Sequence, residues 1–223
     1  MVTELREGVW WLDCTGVNAY LVEDDEALTL VDTGTPFDAT RIEAAIETVG
    51  FTPSAIDRIL ITHYDLDHVG SAAKLSTDAP IYVGRADAPL VTGEERPSLS
   101  GHKALTQLVS GLLVSDVPAD RVHPVADGDE IGGFTAYHTP GHTPGHTVYL
   151  HDEHRAAFLG DMVIERDGDL QPSPWLLSYD TDEVRRSIDA FVDRAPAFEV
   201  AAMGHGTPFL KGGGVRLSEL AAE

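Results

Sequence analysis

Residues 62–70 read THYDLDHVG, and this stretch places four potential metal ligands within six residues: His63, Asp65, Asp67 and His68. It directly follows residues 58–62 (RILIT), a short apolar run typical of a strand that is covered on both faces. Functional loops commonly extend from the ends of such strands. We therefore predict a functional loop here, in which Asp67 and His68 converge on one metal ion or reach two.

Four more places in the chain carry a histidine or an aspartate at a predicted turn or strand end. They are His142 in TPGHTPGH (139–146), Asp161 after FLG (158–160), His205 in MGHG (203–206) and Asp32 in VDTG (31–34). Two Pro-Gly pairs make the turn around His142 rigid, which suits a metal ligand. We expect Asp32 to orient neighbouring side chains rather than bind metal. His146 opens a strand, and we expect it to hydrogen-bond the turn.

Imidazole and carboxylate ligands without cysteine suit zinc, and also iron or manganese. Ligands from several strand ends can hold two ions about 3.5–4 Å apart, and such ions lower the pKa of a bound water from about 15.7 toward about 7. The sequence contains no G-x-S-x-G nucleophile elbow. A metal-activated water therefore replaces a serine nucleophile in the expected chemistry.

In this order and spacing, HxDxDH at 63–68 followed by His142, Asp161 and His205 resembles the metallo-β-lactamase superfamily, over residues 32–206. The resemblance implies an α/β fold, the αββα four-layer sandwich, with two mixed β-sheets flanked by helices and the site at one edge. It implies a single domain over residues 1–223, with an insert or lid around 88–118.

The resemblance also implies a division of the ligands between two divalent ions. His63 and His142 would serve the first ion; Asp67, His68 and His205 would serve the second; Asp161 would bridge them. The family usually has a third histidine where this chain has Asp65. Asp65 is either a harder ligand of the first ion or a hydrogen-bond acceptor behind the ligands. It leaves open the identity of the metal and the occupancy of the first site, with zinc expected and iron or manganese as alternatives.

The expected function is a metal-dependent hydrolase in which Asp67 and His68 take part in catalysis, Asp67 by assisting the leaving group. A thioester, as in the glyoxalase II-like branch, comes first as the bond cleaved, followed by a lactone and a β-lactam. One alternative is an iron-dependent oxidoreductase of the same fold, either a persulfide dioxygenase or an oxygen-reducing di-iron type. The other is a metal-binding module without catalysis.

The 223 residues include 37 acidic and 15 basic ones, for a net charge of −22. So negative a surface argues against nucleic acids and anionic membranes as partners and leaves a small-molecule substrate. We interpret the acidity as halophilic, an adaptation to a salt-rich cytoplasm. With the single cysteine Cys14 and neither a signal peptide nor a transmembrane run, we expect a soluble, cytoplasmic protein.

Hydrophobic periodicity predicts both strands and helices along the chain. The predicted strands are residues 8–13, 17–22, 27–31, 58–62, 81–83, 121–125, 134–138, 146–151, 155–159 and 199–203. The predicted helices are 36–49, 71–76, 99–114 and 181–194. In the third helix we expect an apolar stripe to be core, with a lid over the substrate mouth as the alternative; the stripe is Leu105, Leu108, Val109, Leu112 and Leu113.

Overall fold

The computed structural model describes residues 1–24, 27–97 and 103–223, with the backbone alone for residues 104–107. His102 and the start of the predicted helix 99–114 lie outside these described residues. Within the described ranges, no helix combines the length and the apolar character needed to cross a bilayer.

The first sheet has seven strands that lie side by side in chain order. They are β1 Val2–Arg6, β2 Val9–Asp13, β3 Asn18–Glu23, β4 Leu28–Val31, β5 Arg58–Ile61, β6 Ile81–Gly84 and β7 Val122–Val125. Strands β1 to β4 pair antiparallel through short connections. Strands β4 to β7 pair parallel, so the longer segments between them must cross back over the sheet.

The second sheet has five strands in the order β14-β11-β10-β9-β8. They are β8 Glu130–Ile131, β9 Phe134–His138, β10 Thr147–His151, β11 Ala156–Gly160 and β14 Val200–Met203. Only the β11–β14 pair is parallel, so this sheet is mixed as well. A separate hairpin, β12 Val163–Arg166 with β13 Asp169–Pro172, follows β11.

Six α-helices lie in the described residues: α1 Ala39–Thr48, α2 Leu66–Val69, α3 Ala88–Val91, α4 Ala104–Leu113, α5 Thr181–Arg194 and α6 Gly213–Ala221. Three apolar clusters show how the layers stack. One joins Ile42 and Ile46 of α1 to the first sheet. The second lies between the two sheets, where Leu60 and Phe158 belong to the same cluster. The third joins the second sheet to α5 and α6, so the expected αββα sandwich is confirmed.

Strand ends determine where the polar motifs lie. Asp32 follows β4, the 62–70 motif follows β5, Asp161 follows β11 and His205 comes two residues after β14. The ends of parallel strands meet at one sheet edge, which brings segments far apart in sequence together. The parallel pairs β4–β5 and β11–β14, one in each sheet, therefore form the edge at which a site can assemble.

Several local predictions were wrong. We predicted a short helix at 71–76, but the helix here is α2, which begins earlier, inside the motif. Asp65 has an extended conformation and precedes the first helical residue, Leu66. Strand β1, the β12–β13 hairpin and α6 were not predicted. The first turn of α6 includes Gly213, which packs tightly on the second sheet, where an added Cβ would lie 2.8 Å from Ala201.

The prediction that the apolar stripe of α4 is core was also wrong for the side chains that are described. Leu108 is 43 % exposed and Leu112 is 73 % exposed, while Val109 and Leu113 are also exposed. The side chain of Leu105 lies outside the described residues. The buried positions are Lys103, just before the helix, and Ser110. The helix thus contacts α2 with Ser110 buried and leaves the four described apolar side chains of the stripe at the surface.

Candidate metal centre

The 62–70 motif leaves β5 and turns at once into α2. Asp65 begins the helix in an extended conformation, and the backbone N–H of Val69 donates to its carbonyl. Asp67 and His68 therefore lie on a helical turn, not in the loop that we predicted. The backbone N–H of Tyr64 donates to Asp87 Oδ2 over 2.8 Å, which fixes the start of the turn.

Asp32 fixes the motif from behind. Its Oδ1 accepts from the N–H of Thr62 and its Oδ2 from the Thr62 hydroxyl, both over 2.8 Å. The same Oδ2 lies 2.8 Å from His68 Nδ1. The backbone of Asp32 has φ of 58°, a left-handed conformation that is uncommon for a residue other than glycine. This geometry matches the orienting role that we expected for Asp32.

The four histidines of the site share one arrangement: each engages Nδ1 with the protein and turns Nε2 toward the others. His63 Nδ1 lies 3.0 Å from the Thr62 hydroxyl, His142 Nδ1 lies 2.8 Å from Ser173 Oγ, and His205 Nδ1 lies 2.8 Å from the Gly16 carbonyl. Because the Thr62 proton goes to Asp32, His63 donates through Nδ1 and keeps a lone pair on Nε2. Hydrogen bonds of this kind set the tautomer that a metal ligand needs.

Two groups of side chains offer metal-binding atoms that all lie within 4.8 Å of one another. The first is His63, His142 and Asp161, and the second is Asp67, His68 and His205. Asp161 links them, since its Oδ1 lies 3.4 Å from His68 Nε2 and its Oδ2 lies 3.3 Å from His205 Nε2. The structure thus brings together six of the seven residues predicted as ligands, and Asp65 lies beside the first group.

The residues fit divalent metal ions by a second criterion. Within the described part of the chain, three buried polar atoms make no hydrogen bond: His63 Nε2, His68 Nε2 and Asp161 Oδ1. Buried polar atoms are nearly always satisfied, and the exceptions need a physical reason. Divalent ions held by the two groups would explain why buried atoms of three different residues have no hydrogen-bond partner.

The charges at the site also favour a cation. Burial opposes a charge on His68, but Asp161 and Asp32 outweigh it and raise the pKa of this imidazole to about 9. Asp161 likewise raises the pKa of His205 to about 12. His63 differs, since burial and then the neighbouring His68 and His142 lower its pKa well below the usual value. The carboxylates near the second group therefore demand a nearby positive charge.

Asp65, which stands where the family usually has histidine, is bound by a lysine that the sequence analysis did not single out. Lys103 Nζ lies 2.6 Å from Asp65 Oδ2 and 3.1 Å from His142 Nε2. Burial opposes the charge of Asp65, but Lys103 and then His142 hold the pKa of its carboxyl well below the usual value. The chain has only three lysines, Lys74, Lys103 and Lys211, and this rarity was the one feature of the sequence that could have drawn attention to Lys103.

Two other buried residues, His146 and Asp87, hold the segments of the site together through hydrogen bonds. His146 lies 2.8 Å from the Thr139 hydroxyl through Nδ1 and accepts from the N–H of Asp161 through Nε2. This agrees with the expectation that His146 hydrogen-bonds the turn. Asp87, which sequence reasoning missed, accepts from Thr143 and Gly145 as well as from Tyr64 and so joins the PGH turn to the motif.

A cavity of about 450 Å³ opens onto the two groups. Its lining includes Asp67, Asp161 and His205 from the site, together with the apolar side chains of Leu66, Val109 and Leu177. Val109 comes from α4 and Leu177 from the short 3₁₀ turn Trp175–Leu177. Both segments therefore form part of the entrance to the metal centre.

Comparison with known proteins agrees with this geometry. The sequence pattern of the family described as Metallo-beta-lactamase superfamily matches residues 12–205. The chain is 30 % identical over 176 residues to "Probable metallo-hydrolase YybB" of Bacillus subtilis strain 168, covering 75 % of this chain and 71 % of the relative. It is 28 % identical over 201 residues to "Uncharacterized protein YobT" of the same organism, covering 85 % and 83 %.

Solved structures share the fold at lower sequence identity. A metallo-beta-lactamase family protein of Thermus thermophilus superposes with a TM-score of 0.72 at 23 % identity, covering 98 % of this chain and 80 % of the other. BJP-1, a subclass B3 metallo-beta-lactamase of Bradyrhizobium japonicum, gives a TM-score of 0.69 at 22 % identity, covering 99 % and 90 %. From the family match, the fold and the order of the site residues, this chain belongs to the metallo-beta-lactamase superfamily.

Proposed function

We propose that the protein is a metal-dependent hydrolase that cleaves a carbonyl-type bond (a thioester, lactone or β-lactam) in a small molecule. The observation that carries this proposal is the convergence of two histidine–carboxylate groups, with three unpartnered buried atoms, at one cavity of about 450 Å³. The named relative YybB, a probable metallo-hydrolase, supports the same reaction class.

The metals would be two divalent ions, with zinc expected and iron or manganese as alternatives. His63 and His142 would hold the first, with Asp65 as a further ligand to be tested; Asp67, His68 and His205 would hold the second, and Asp161 would bridge. Ions bound there would act as Lewis acids on the substrate carbonyl. They would also lower the pKa of a bound water, so that hydroxide is available at neutral pH. The mixed nitrogen and oxygen donors suit zinc.

The chain's own residues contribute orientation and proton handling. Asp32 holds His68 through Nδ1, so the ring cannot rotate away from the cavity. Asp67 lines the cavity with a side chain that is 35 % exposed, and its Oδ2 lies 3.3 Å from His205 Nε2. A carboxylate in this position reaches both substrate and solvent. Burial opposes the charge of Asp67, but His205 and His68 lower the pKa of its carboxyl. We therefore assign the Asp67 carboxylate the role of accepting a proton from the attacking water and passing it to the leaving group.

The cavity favours an uncharged substrate. Apart from the histidines, Lys103 is the one basic side chain among the described lining residues, and it is bound to Asp65. A net charge of −22 further repels anions. A glutathione thioester, whose thiol part carries carboxylates, therefore ranks below a lactone or a thioester without any charged group, and Leu66, Val109 and Leu177 offer apolar contact for such a substrate.

The two alternative functions have less support. Nothing in the comparisons favours the iron-dependent oxidoreductase over the hydrolase, although Asp65 was its argument from the sequence. A metal-binding module without catalysis does not need a cavity with apolar walls beside the metal centre. We keep the cytoplasmic location, the halophilic adaptation and the single domain over residues 1–223 as further predictions.

The test is the substitution His68→Ala, assayed on thioesters, lactones, a chromogenic lactam and phosphodiesters, with added zinc and in high salt. We expect a loss of turnover on the order of a thousandfold or more, because an oriented ligand is removed. His123→Ala is the matched control, since His123 is exposed on β7. Wild-type turnover in a natively folded His68→Ala protein, checked by circular dichroism, would end the proposal.

A further inference from the structure

Lys103 places a buried positive charge inside the metal centre. Its side chain is 1 % exposed, and it immediately precedes α4 in the segment inserted between β6 and β7. Besides Asp65 Oδ2 and His142 Nε2, its Nζ lies 3.2 Å from the His142 carbonyl and 5.5 Å from the centre of the Tyr179 ring. Contacts on several sides hold the ammonium group at this position.

The ammonium group lies beside two atoms that a metal ion at the first group could use as ligands, Asp65 Oδ2 and His142 Nε2. A divalent zinc ion lies about 2.0–2.2 Å from a coordinating nitrogen or oxygen. Lys103 Nζ donates to Asp65 Oδ2 over 2.6 Å and lies 3.1 Å from His142 Nε2, and these two acceptor-side atoms are themselves 2.9 Å apart. The ammonium group therefore fills the space next to both atoms. A lone pair that accepts a hydrogen bond from Lys103 is not available to a metal ion at the same time. The lysine also repels a second cation placed a few ångströms away.

The second group carries no such competitor. Within the described ranges, Asp67 forms its ion pair with His205 and with no lysine or arginine. His68 Nε2 makes no hydrogen bond, and His68 Nδ1 is held by Asp32. The two groups are therefore unequal: the first is compensated in part by a fixed charge of the protein, and the second is not.

We propose that Lys103 is a built-in counter-cation of Asp65 that makes the centre asymmetric. One divalent ion binds tightly at Asp67, His68 and His205 with Asp161, and the group of His63, His142 and Asp161 binds a second ion much more weakly. Asp65 is then the partner of Lys103 and not a metal ligand. This inference rests on the proposed metal-dependent function and specifies how many ions that function uses.

The experiment is a zinc titration of the metal-free protein, followed by calorimetry or by competition with a chromophoric chelator. For the wild type we expect one tight equivalent and a second that binds at least about tenfold more weakly. Lys103→Met removes the charge and should tighten the second equivalent by about tenfold or more. Asp65→His together with Lys103→Met should give two equivalents of similar affinity. Lys211→Met, at an exposed lysine, is the matched control and should behave as wild type.

Two equal equivalents in the wild type would overturn the proposal. So would an unchanged second equivalent in a folded Lys103→Met protein. If that variant does not fold, Lys103→Gln, which keeps a polar side chain of similar length, gives the same decision. Absence of zinc binding in the wild type would overturn the proposed function as well, whereas two equal equivalents with hydrolysis would overturn only the role of Lys103.

Discussion

Two buried aspartates that do not line the cavity, Asp32 and Asp87, fix the positions of the segments that carry the site histidines. Asp32 connects the end of β4 to Thr62 and His68. Asp87 connects the segment after β6 to the motif and to the PGH turn. Each carboxylate accepts at least three hydrogen bonds from groups that would otherwise be buried without partners. The histidines therefore depend on these two residues for their positions.

We expect Asp87→Ala to lower the free energy of unfolding by about 3 kcal/mol, because it leaves several buried donors unsatisfied. The donors are the N–H groups of Tyr64 and Gly145 and the Thr143 hydroxyl, at 2.7–2.8 Å. Urea unfolding measures the change. Asp78→Ala, at an exposed aspartate, is the control and should change the value by less than about 0.5 kcal/mol. Equal stability of the two variants would contradict this role of Asp87.

At this scale the sequence predicted the histidines and aspartates that meet, because each stands at the end of an apolar strand. It did not predict Lys103 or Asp87. Asp87 lies in a connecting segment without periodicity, and Lys103 lies within the predicted helix 99–114 but outside its apolar stripe. A charged residue at either kind of position usually contacts solvent. The partner of Lys103 is Asp65, and those of Asp87 include Tyr64 and Gly145. Tertiary packing brings these residues together, so the spacing of residues along the sequence does not predict the contacts.

Among the secondary-structure elements, α5 and α4 show when a hydrophobic pattern is enough to predict both a helix and its buried face. The predicted bounds of α5, 181–194, are those observed, because a capping aspartate and an apolar stripe agree. Val184, Ile188 and Phe191 are buried against the second sheet. Helix α4 has a similar stripe but lies at the periphery over the site, so Leu108, Leu112 and Leu113 stay exposed. Periodicity predicted both helices and could not tell which face of α4 packs inward.

We expect Asp180→Ala to lower the free energy of unfolding by about 1 kcal/mol, the usual effect of losing a helix N-cap. The Asp180 carboxylate accepts from the N–H groups of Asp182 and Glu183 over 2.9 and 3.0 Å. Denaturant titration measures the loss. Asp189→Ala, on the exposed face of the same helix, should be neutral or slightly stabilising because alanine favours helix. A result in which Asp180→Ala is as stable as Asp189→Ala would refute the capping assignment.

At the scale of the whole molecule, the net charge of −22 is the dominant feature. Acidic residues are spread over loops and helix faces, so they repel one another across the entire surface. The fold itself followed from the order of the motifs along the chain, since that order specifies which strand ends must meet. The strands and helix that the motifs do not touch, β1, the β12–β13 hairpin and α6, could not be placed in this way.

We expect the melting temperature to rise when chloride salt is increased from about 0.1 M to about 1 M, because the Debye length falls from about 10 Å to about 3 Å and screens this repulsion. Scanning calorimetry or near-UV circular dichroism measures the shift. Chloride is preferred to sulfate, because sulfate also strengthens apolar burial. A melting temperature that stays constant or falls would argue against self-repulsion as a limit on stability.

Metal content of the purified protein shows whether the clustered histidines and aspartates bind divalent metal. Purified protein is saturated with zinc, dialysed and quantified by elemental analysis, beside His68→Ala/His205→Ala and the exposed control His123→Ala. We expect at least one retained zinc per chain in the wild type and in the control, and loss of the tightly held ion in the double variant. A wild type that retains no metal, or a folded double variant that retains as much as the wild type, would contradict it.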